Sequence, residues 1–215
     1  MKSPEPSQAI FQTFSPFFRR HAHLLIYLGY TDSHHRMKSN DKEPAITGFI
    51  TEAINNRFRT QKNPPRWYNH YSVKDDPPIE AEGRVGGERL RLDIIIEATW
   101  KGRPEYCFEA KRLRKNGFPS SKYVGESGMG CFINGLYASR YQEAAMLGYV
   151  QSDSVEQWRN KIRGEIDKKA KELRLIPPQR NEKIIDTFPF EWTSEHRREN
   201  ISHPITIFHI LLKCY

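Results

Sequence analysis

The sequence predicts an α/β fold in one domain of 215 residues. In segment 45–59, apolar residues recur every three or four positions, which is the period of a helix. In segment 89–97, RLRLDIIIE, side chains alternate between two faces, which is the period of a strand. A turn leads to a second strand, 105–111, and a second amphipathic helix is expected over 154–175. Helices and strands therefore alternate along one chain.

The other segments extend this alternation. Residues 1–43 are expected to form an N-terminal arm, and residues 151–215 to supply the last helix and the strands that complete the core. In chain order, the further predictions are a short helix (17–30), a polar loop (31–43), a strand (66–73), a Gly- and Ser-rich ordered loop (115–131), a helix (134–150) and two strands (184–193 and 204–213).

Charge and composition limit the classes of function. A net charge of +8 favours a polyanionic partner such as nucleic acid. No apolar run approaches the ~20 residues needed to cross a bilayer, and the N-terminus lacks the apolar core of a signal peptide. We therefore expect a cytoplasmic protein that does not enter a membrane. Its three cysteines are far apart, which favours buried free thiols over disulfides or a cysteine zinc site.

Three ionisable residues interrupt the two apolar strands: Asp93, Glu109 and Lys111. Opposite residues of an antiparallel pair share a face, so one of the two possible registers places Asp93 opposite Glu109 and Lys111 beside them. Two carboxylates suit Mg²⁺, which polarises a phosphoryl oxygen and activates water, and a lysine stabilises developing charge. The spacing indicates a site that hydrolyses phosphodiesters. The alternative is a cross-strand ion pair on a solvated face.

The pattern Asp93 … Glu109-Ala110-Lys111 resembles the signature of the PD-(D/E)xK nuclease superfamily, to which many restriction endonucleases belong. Leu92 stands where the name-giving proline would be. The resemblance covers about residues 45–150, with the tail supplying the last strand. It implies a restriction-endonuclease-like core, in which helices flank both faces of a central mixed β-sheet. It also implies that Asp93, Glu109 and the Ala110 carbonyl bind Mg²⁺ (Mn²⁺ would substitute) and that Lys111 acts on the attacking water.

An additional acid often comes from the first helix of such enzymes, and Glu52 is the matching candidate here. Glu80 and Glu82, which precede the Asp93 strand, compete for this role, and Glu88 is a weaker candidate. An exposed surface glutamate is the alternative interpretation of Glu52.

Basic and polar residues near the signature are candidates for contacts with nucleic acid. Arg112, Arg114 and Lys115 follow Lys111 directly and could contact phosphates without reading sequence. Arg140 and Gln142 would lie on the helix expected over 134–150, although the QxxxY pattern of RecB-like members is absent. For both sets, the alternative is an ordinary solvated surface.

Together these features predict a Mg²⁺-dependent endonuclease that hydrolyses DNA, with RNA a less favoured substrate. By analogy alone, such compact enzymes suggest bacterial defence or restriction, as a homodimer or within a larger defence complex. Two alternatives stay open: a non-catalytic subunit that binds nucleic acid or supports assembly, and an enzyme that acts on another phosphoester.

Overall fold

A computed structural model of the protein describes residues 8–79, 90–100, 102–188, 190–199 and 201–215. The α-helices in these residues are α1 (Gln8–Ser33), α2 (Glu43–Thr60), α3 (Ser120–Val124), α4 (Met129–Ile133) and α5 (Val155–Lys168), with short 3₁₀ helices at His34–Arg36 and Arg66–His70. The strands are β1 (Tyr71–Asp75), β2 (Ile94–Ala98), β3 (Glu105–Leu113), β4 (Glu143–Val150), β5 (Leu175–Arg180), β6 (Glu191–His196) and β7 (Ile205–Lys213).

The seven strands form one mixed sheet in the order β1-β2-β3-β4-β7-β6-β5. The central strands β3, β4 and β7 run parallel to one another, while the two outer strands on each side pair antiparallel. The carboxyl ends of the three parallel strands therefore share one edge of the sheet. In open α/β sheets, ligand sites commonly lie at this edge.

Helices cover both faces of the sheet, so the α/β class and the mixed central sheet are confirmed. Along β3, the side chains of Tyr106, Phe108 and Ala110 enter the core under α1 and α2. The alternate residues Cys107 and Leu113 enter a second core, under α3, α4 and α5. Because both faces are buried, the central strands are apolar almost throughout.

The helix predicted over 134–150 is wrong, because Glu143–Val150 form β4 in the middle of the sheet. All residues of β4 except Glu143 are buried. A short strand that is buried on both faces has a continuous apolar sequence, and its periodicity does not distinguish it from a buried helix. Arg140 and Gln142 therefore lie in the turns before a strand and not on a helix.

Several other elements begin or end at residues that differ from the prediction. The N-terminal helix is longer than 17–30, β1 begins only at Tyr71, and β6 begins at Glu191 rather than at 184. Helix α3 lies within the expected loop 115–131, and α4 begins in it and ends at Ile133. Helix α5 ends at Lys168, and the Pro177-Pro178 pair that was expected to follow a longer helix lies in β5, an edge strand that tolerates proline. In the described part of the chain, every helix is too short or too polar to cross a lipid bilayer.

Candidate functional site

The site lies where β2 begins beside β3. Ile94 pairs with Phe108. Extended by one residue, this register places Asp93 opposite Glu109, which is one of the two registers that the sequence left open. Before Asp93 the chain turns away from β3, and Arg91 instead bridges to Pro78. The edge of β3 beyond Glu109 is consequently not paired with β2.

Two carboxylates occupy this open edge of β3. The Ala110 N–H donates a hydrogen bond to Asp93 Oδ2 over 2.7 Å, and the Arg112 N–H donates to Glu43 Oε2 over 2.9 Å. Alternate N–H groups of a strand point to the same edge, so the two carboxylates lie in succession along it. Glu43 is the first residue of α2, which brings the first layer of helices to the site.

Lys111 lies at the centre of these acids. Its Nζ is 2.6 Å from Glu109 Oε1, 2.7 Å from the Ala110 carbonyl oxygen and 3.5 Å from Glu43 Oε1. The lysine side chain is 15% exposed and that of Glu109 only 7%, so this ion pair is shielded from solvent. The ammonium group contacts the same carboxylate and carbonyl oxygens that the sequence resemblance assigns to a metal ion.

Burial controls the electrostatics of the group. Desolvation and the charge of Asp93 together raise the pKa of Glu109 to about 8, although Lys111 opposes the change. Desolvation also raises the pKa of Asp93 to about 6, although the Ala110 N–H opposes the change. For Lys111, burial lowers the pKa, but the Glu109 and Glu43 carboxylates outweigh this and raise it overall. The site therefore holds more negative charge than its surroundings stabilise at neutral pH.

The donor atoms fit a small divalent cation. Glu109 Oε2 is buried without a hydrogen-bond partner, although buried carboxylate oxygens normally have one. Mg²⁺ typically takes one or two carboxylates and completes its coordination with water and substrate phosphates. The described residues contain no cluster of three His, Cys, Asp or Glu side chains arranged to hold a metal. Asp93, Glu109 and the Ala110 carbonyl would instead form a partial ligand set.

The structure does not bring Glu52 to this group. Glu52 is half-exposed and pairs with Arg36 over 2.8 Å. It lies nine residues after Glu43, which is about 13 Å along the helix axis. Glu43, and not Glu52, is the acid of the first helix that lies at the site. The sequence around Glu43 shows only an acid in the first turn of a helix, and such acids are common because the helix dipole favours them. Glu80, Glu82 and Glu88 lie outside the described residues.

The predicted nucleic-acid contacts divide into two groups. Arg112, Arg114 and Lys115 lie at the carboxyl end of β3, next to Lys111, and the Arg112 guanidinium stacks 3.7 Å from the centroid of the Phe118 ring. Arg114 and Lys115 are exposed. These three residues border the site.

Arg140 and Gln142 lie near the opposite edge of the sheet. The β3–β4 register aligns Gln142 with Glu105, six residues before Lys111, or about 20 Å along the strand. Arg140 lies close enough to Glu105 to lower the pKa of that carboxyl group, although burial raises it overall. Both residues are therefore separated from the catalytic candidates.

Tyr137 is a further site residue that the sequence interpretation missed. Its hydroxyl donates to the Arg91 carbonyl oxygen over 2.9 Å, two residues before Asp93, and its ring is buried. The hydrogen bond holds the segment that turns away from β3. A tyrosine within the supposed helix 134–150 carried no sequence signal for this role.

Neighbouring cysteines show no reactive character. All three are free and buried, as expected, and burial raises the pKa of Cys131 near Glu109 to about 11. The catalytic candidates are therefore the acids and the lysine rather than a thiol. The chain matches no protein-family model, and no curated protein or solved structure matches it.

Proposed function

We propose that this protein is a Mg²⁺-dependent nuclease of the PD-(D/E)xK type that hydrolyses DNA phosphodiester bonds. One observation carries the proposal: Asp93, Glu109 and Lys111 converge at the unpaired edge of β3, and a buried oxygen of Glu109 has no partner there. Desolvated carboxylates beside one lysine suit the binding of a hard cation and a phosphate.

Each residue has a distinct role in this mechanism. Asp93, Glu109 and the Ala110 carbonyl would hold Mg²⁺, and Glu43 would orient water at the same edge. The bound ion would supply Lewis acidity and lower the pKa of a water molecule. Lys111 would turn from Glu109 toward the substrate, where its ammonium stabilises negative charge that develops on the phosphoryl oxygens.

The surface around the site suits a polyanion. Arg112, Arg114 and Lys115 border it, and no ion pair with a described carboxylate neutralises any of the three. Such cations bind the phosphate backbone and do not read sequence, so binding would weaken steeply as salt rises. A role in defence, and assembly as a homodimer or a larger complex, are further proposals by analogy.

Cleavage of plasmid and single-stranded DNA with Mg²⁺, Mn²⁺ or EDTA tests the proposal. We expect metal-dependent cutting that falls by at least about a hundredfold in Asp93→Ala and Lys111→Ala, the scale for removing a group that stabilises transition-state charge. Glu109→Gln should be equally inactive. Glu105→Gln is the matched control, since Glu105 lies on the same strand at its opposite end. Cutting that survives in the Asp93 and Lys111 variants would refute the assignment.

The Lys111–Glu109 ion pair also favours a second candidate, a binding subunit that retains the fold without catalysis. In that case the lysine would be the permanent counterion of the acids. Mg²⁺ would then leave the melting temperature unchanged, whereas the nuclease should melt at a higher temperature with Mg²⁺, and Asp93→Ala should abolish this increase.

A further inference from the structure

Building on the proposed nuclease function, we infer that a groove next to the site binds one unpaired nucleobase of the substrate. The groove has a volume of about 390 Å³ and lies between α2 and the end of β1. This volume is within the range of pockets that hold small ligands, about 300–1,000 Å³. The groove is lined by Gly48, Thr51, Glu52, Asn55, Phe58, Arg59 and Asp75.

One wall of the groove lies beside the site. On this wall Asp75 pairs with Ile94, the residue after Asp93. The other wall is α2, where Thr51 is eight residues after Glu43, or about 12 Å along the helix axis. Thr47, between Glu43 and Thr51, is buried and bonds to the Tyr149 hydroxyl, so the connection to the site runs through β1 and not along α2.

The apolar groups in the groove suit a flat ring. A Cβ atom built on Gly48 would meet no atom within 4 Å, so the open space reaches the helix backbone at this position. The Phe58 ring, which is partly buried against the core, adds an aromatic surface. Stacking on an aromatic side chain is the usual way in which proteins hold single nucleobases.

The polar groups select the edge of a base over a phosphate. The Arg59 guanidinium donates to Asn56 Oδ1 over 2.6 Å. The carboxylates of Glu52 and Asp75 repel phosphate but accept hydrogen bonds from amino groups. Arg36 already pairs with Glu52, whereas Asp75 makes no ion pair with any described residue. Cytosine, adenine and guanine carry an exocyclic amino group. The donor of an unpaired thymine is an N3–H between two carbonyl oxygens, which repel a carboxylate. Asp75 should therefore favour the first three bases over thymine.

A base that enters this groove has to leave the double-helical stack. Extracting it from a duplex costs a few kcal/mol, and an already single-stranded base avoids this cost. We therefore expect the substrate to be single-stranded on one side of the cleaved bond.

Binding of fluorescently labelled oligo-dC and oligo-dT of equal length, in EDTA, tests this inference independently of cleavage. We expect wild type to bind oligo-dC about fivefold to a hundredfold more tightly, the range for one base-discriminating contact. Asp75→Asn adds an amide donor that the thymine O4 can accept, so it should weaken oligo-dC binding and strengthen oligo-dT binding. Asp186→Asn changes an exposed aspartate outside the groove and should keep the wild-type ratio.

Equal binding of the two oligomers, or a ratio that Asp75→Asn leaves unchanged, would overturn the inference. Pairing oligo-dC with its complement should also remove the advantage, and retention in the duplex would count against the groove. If the base preference is found but no substrate is cut with Mg²⁺, the nuclease proposal fails while the groove stands.

Discussion

In the proposed mechanism Lys111 has two roles that exclude each other: it is the counterion of the acids without metal, and it contacts the substrate during hydrolysis. Its ammonium lies 2.6 Å from Glu109 Oε1 and 2.7 Å from the Ala110 carbonyl, and it thereby neutralises acids that burial has deprived of water. The same oxygens are those a divalent cation would take. The lysine and the metal therefore compete until Lys111 turns toward the substrate.

Lys111→Met should consequently bind Mg²⁺ more tightly while losing cleavage. Hydrogen bonds to charged groups contribute about 1.5–3 kcal/mol, so we expect roughly a tenfold or greater gain in affinity. Titration of the melting temperature with Mg²⁺ measures this gain. Without metal, the variant should melt at a lower temperature than wild type, because the carboxylates lose their counterion. Unchanged or weaker Mg²⁺ binding would contradict the competition.

Asp93→Asn should stabilise the metal-free protein at neutral pH. Burial raises the pKa of Asp93 to about 6, above the ordinary value of about 3.9, so the folded state binds more protons than the unfolded state between these values. The contribution of Asp93 to the stability of wild type falls as pH rises through this window, by at most about 3 kcal/mol. The asparagine keeps an acceptor for the Ala110 N–H and loses this dependence. Urea denaturation at several pH values measures the difference in the free energy of unfolding between the variant and wild type. This difference should disappear near pH 4.

At the scale of elements, the approach of α1 to α2 determines where Glu43 lies. Gly29 makes this approach close, since a Cβ atom there would lie 2.7 Å from the Ile50 carbonyl oxygen and 2.6 Å from Ile54 Cγ1. The first clash is with backbone, which does not rotate away. The two helices would therefore have to separate, and Glu43 would move with α2.

Gly29→Ala should therefore destabilise the fold by about 1–3 kcal/mol, the usual cost of an overpacked core. Gly164→Ala is the matched control. Gly164 lies in α5, where a Cβ atom meets nothing within 4 Å, and alanine should stabilise that helix by up to about 1 kcal/mol. Chemical denaturation compares the two variants. Equal effects would show that helix propensity, and not close packing, determines the result.

At the scale of the whole molecule, a buried chain of hydrogen bonds joins helix α3 to strands β7 and β6. His196 Nδ1 lies 2.7 Å from the Leu173 carbonyl, so this nitrogen donates and Nε2 accepts from Ser194. Ser194 in turn accepts from His209 Nε2, and His209 Nδ1 lies 3.1 Å from the Tyr123 hydroxyl, which also lies 3.3 Å from the Met146 carbonyl oxygen. The arrangement requires His196 to be neutral. Burial lowers the pKa of His196 to about 4 and that of His209 well below its ordinary value.

The buried His196 should consequently lower the stability of the fold in mild acid. Between pH 6.5 and 4 the unfolded chain binds a proton at His196 that the folded state excludes, so this contribution to stability is retained above the window and falls within it, by about 3 kcal/mol. Denaturation across this range measures the loss in a background that carries both Asp93→Asn and Glu109→Gln, which removes the opposite contributions of these two carboxyl groups. His196→Gln should reduce the slope by about one proton, and an unchanged slope would contradict the assignment.

Much of the site could be predicted from local sequence. The two-residue period of β2 and β3 left two registers open, and the structure has the one that places Asp93 opposite Glu109. The position of Lys111 on the same face was predicted from its spacing of two residues from Glu109. The amphipathic helix α2 and the class of the fold followed from periodicity in the same way.

By itself, the sequence determined which residue types lie on each face of the strands and helices, since those patterns repeat within a few residues. The tertiary structure alone decided the identity of β4, the parallel pairing of the central strands and the position of Glu43. The Glu43 carboxylate meets the Arg112 N–H across 69 positions of sequence. Such a contact depends on how a helix packs against a sheet, which local sequence does not encode. Strand β4 was missed for a different reason: it is buried on both faces, so its sequence lacks the alternation that identifies a strand.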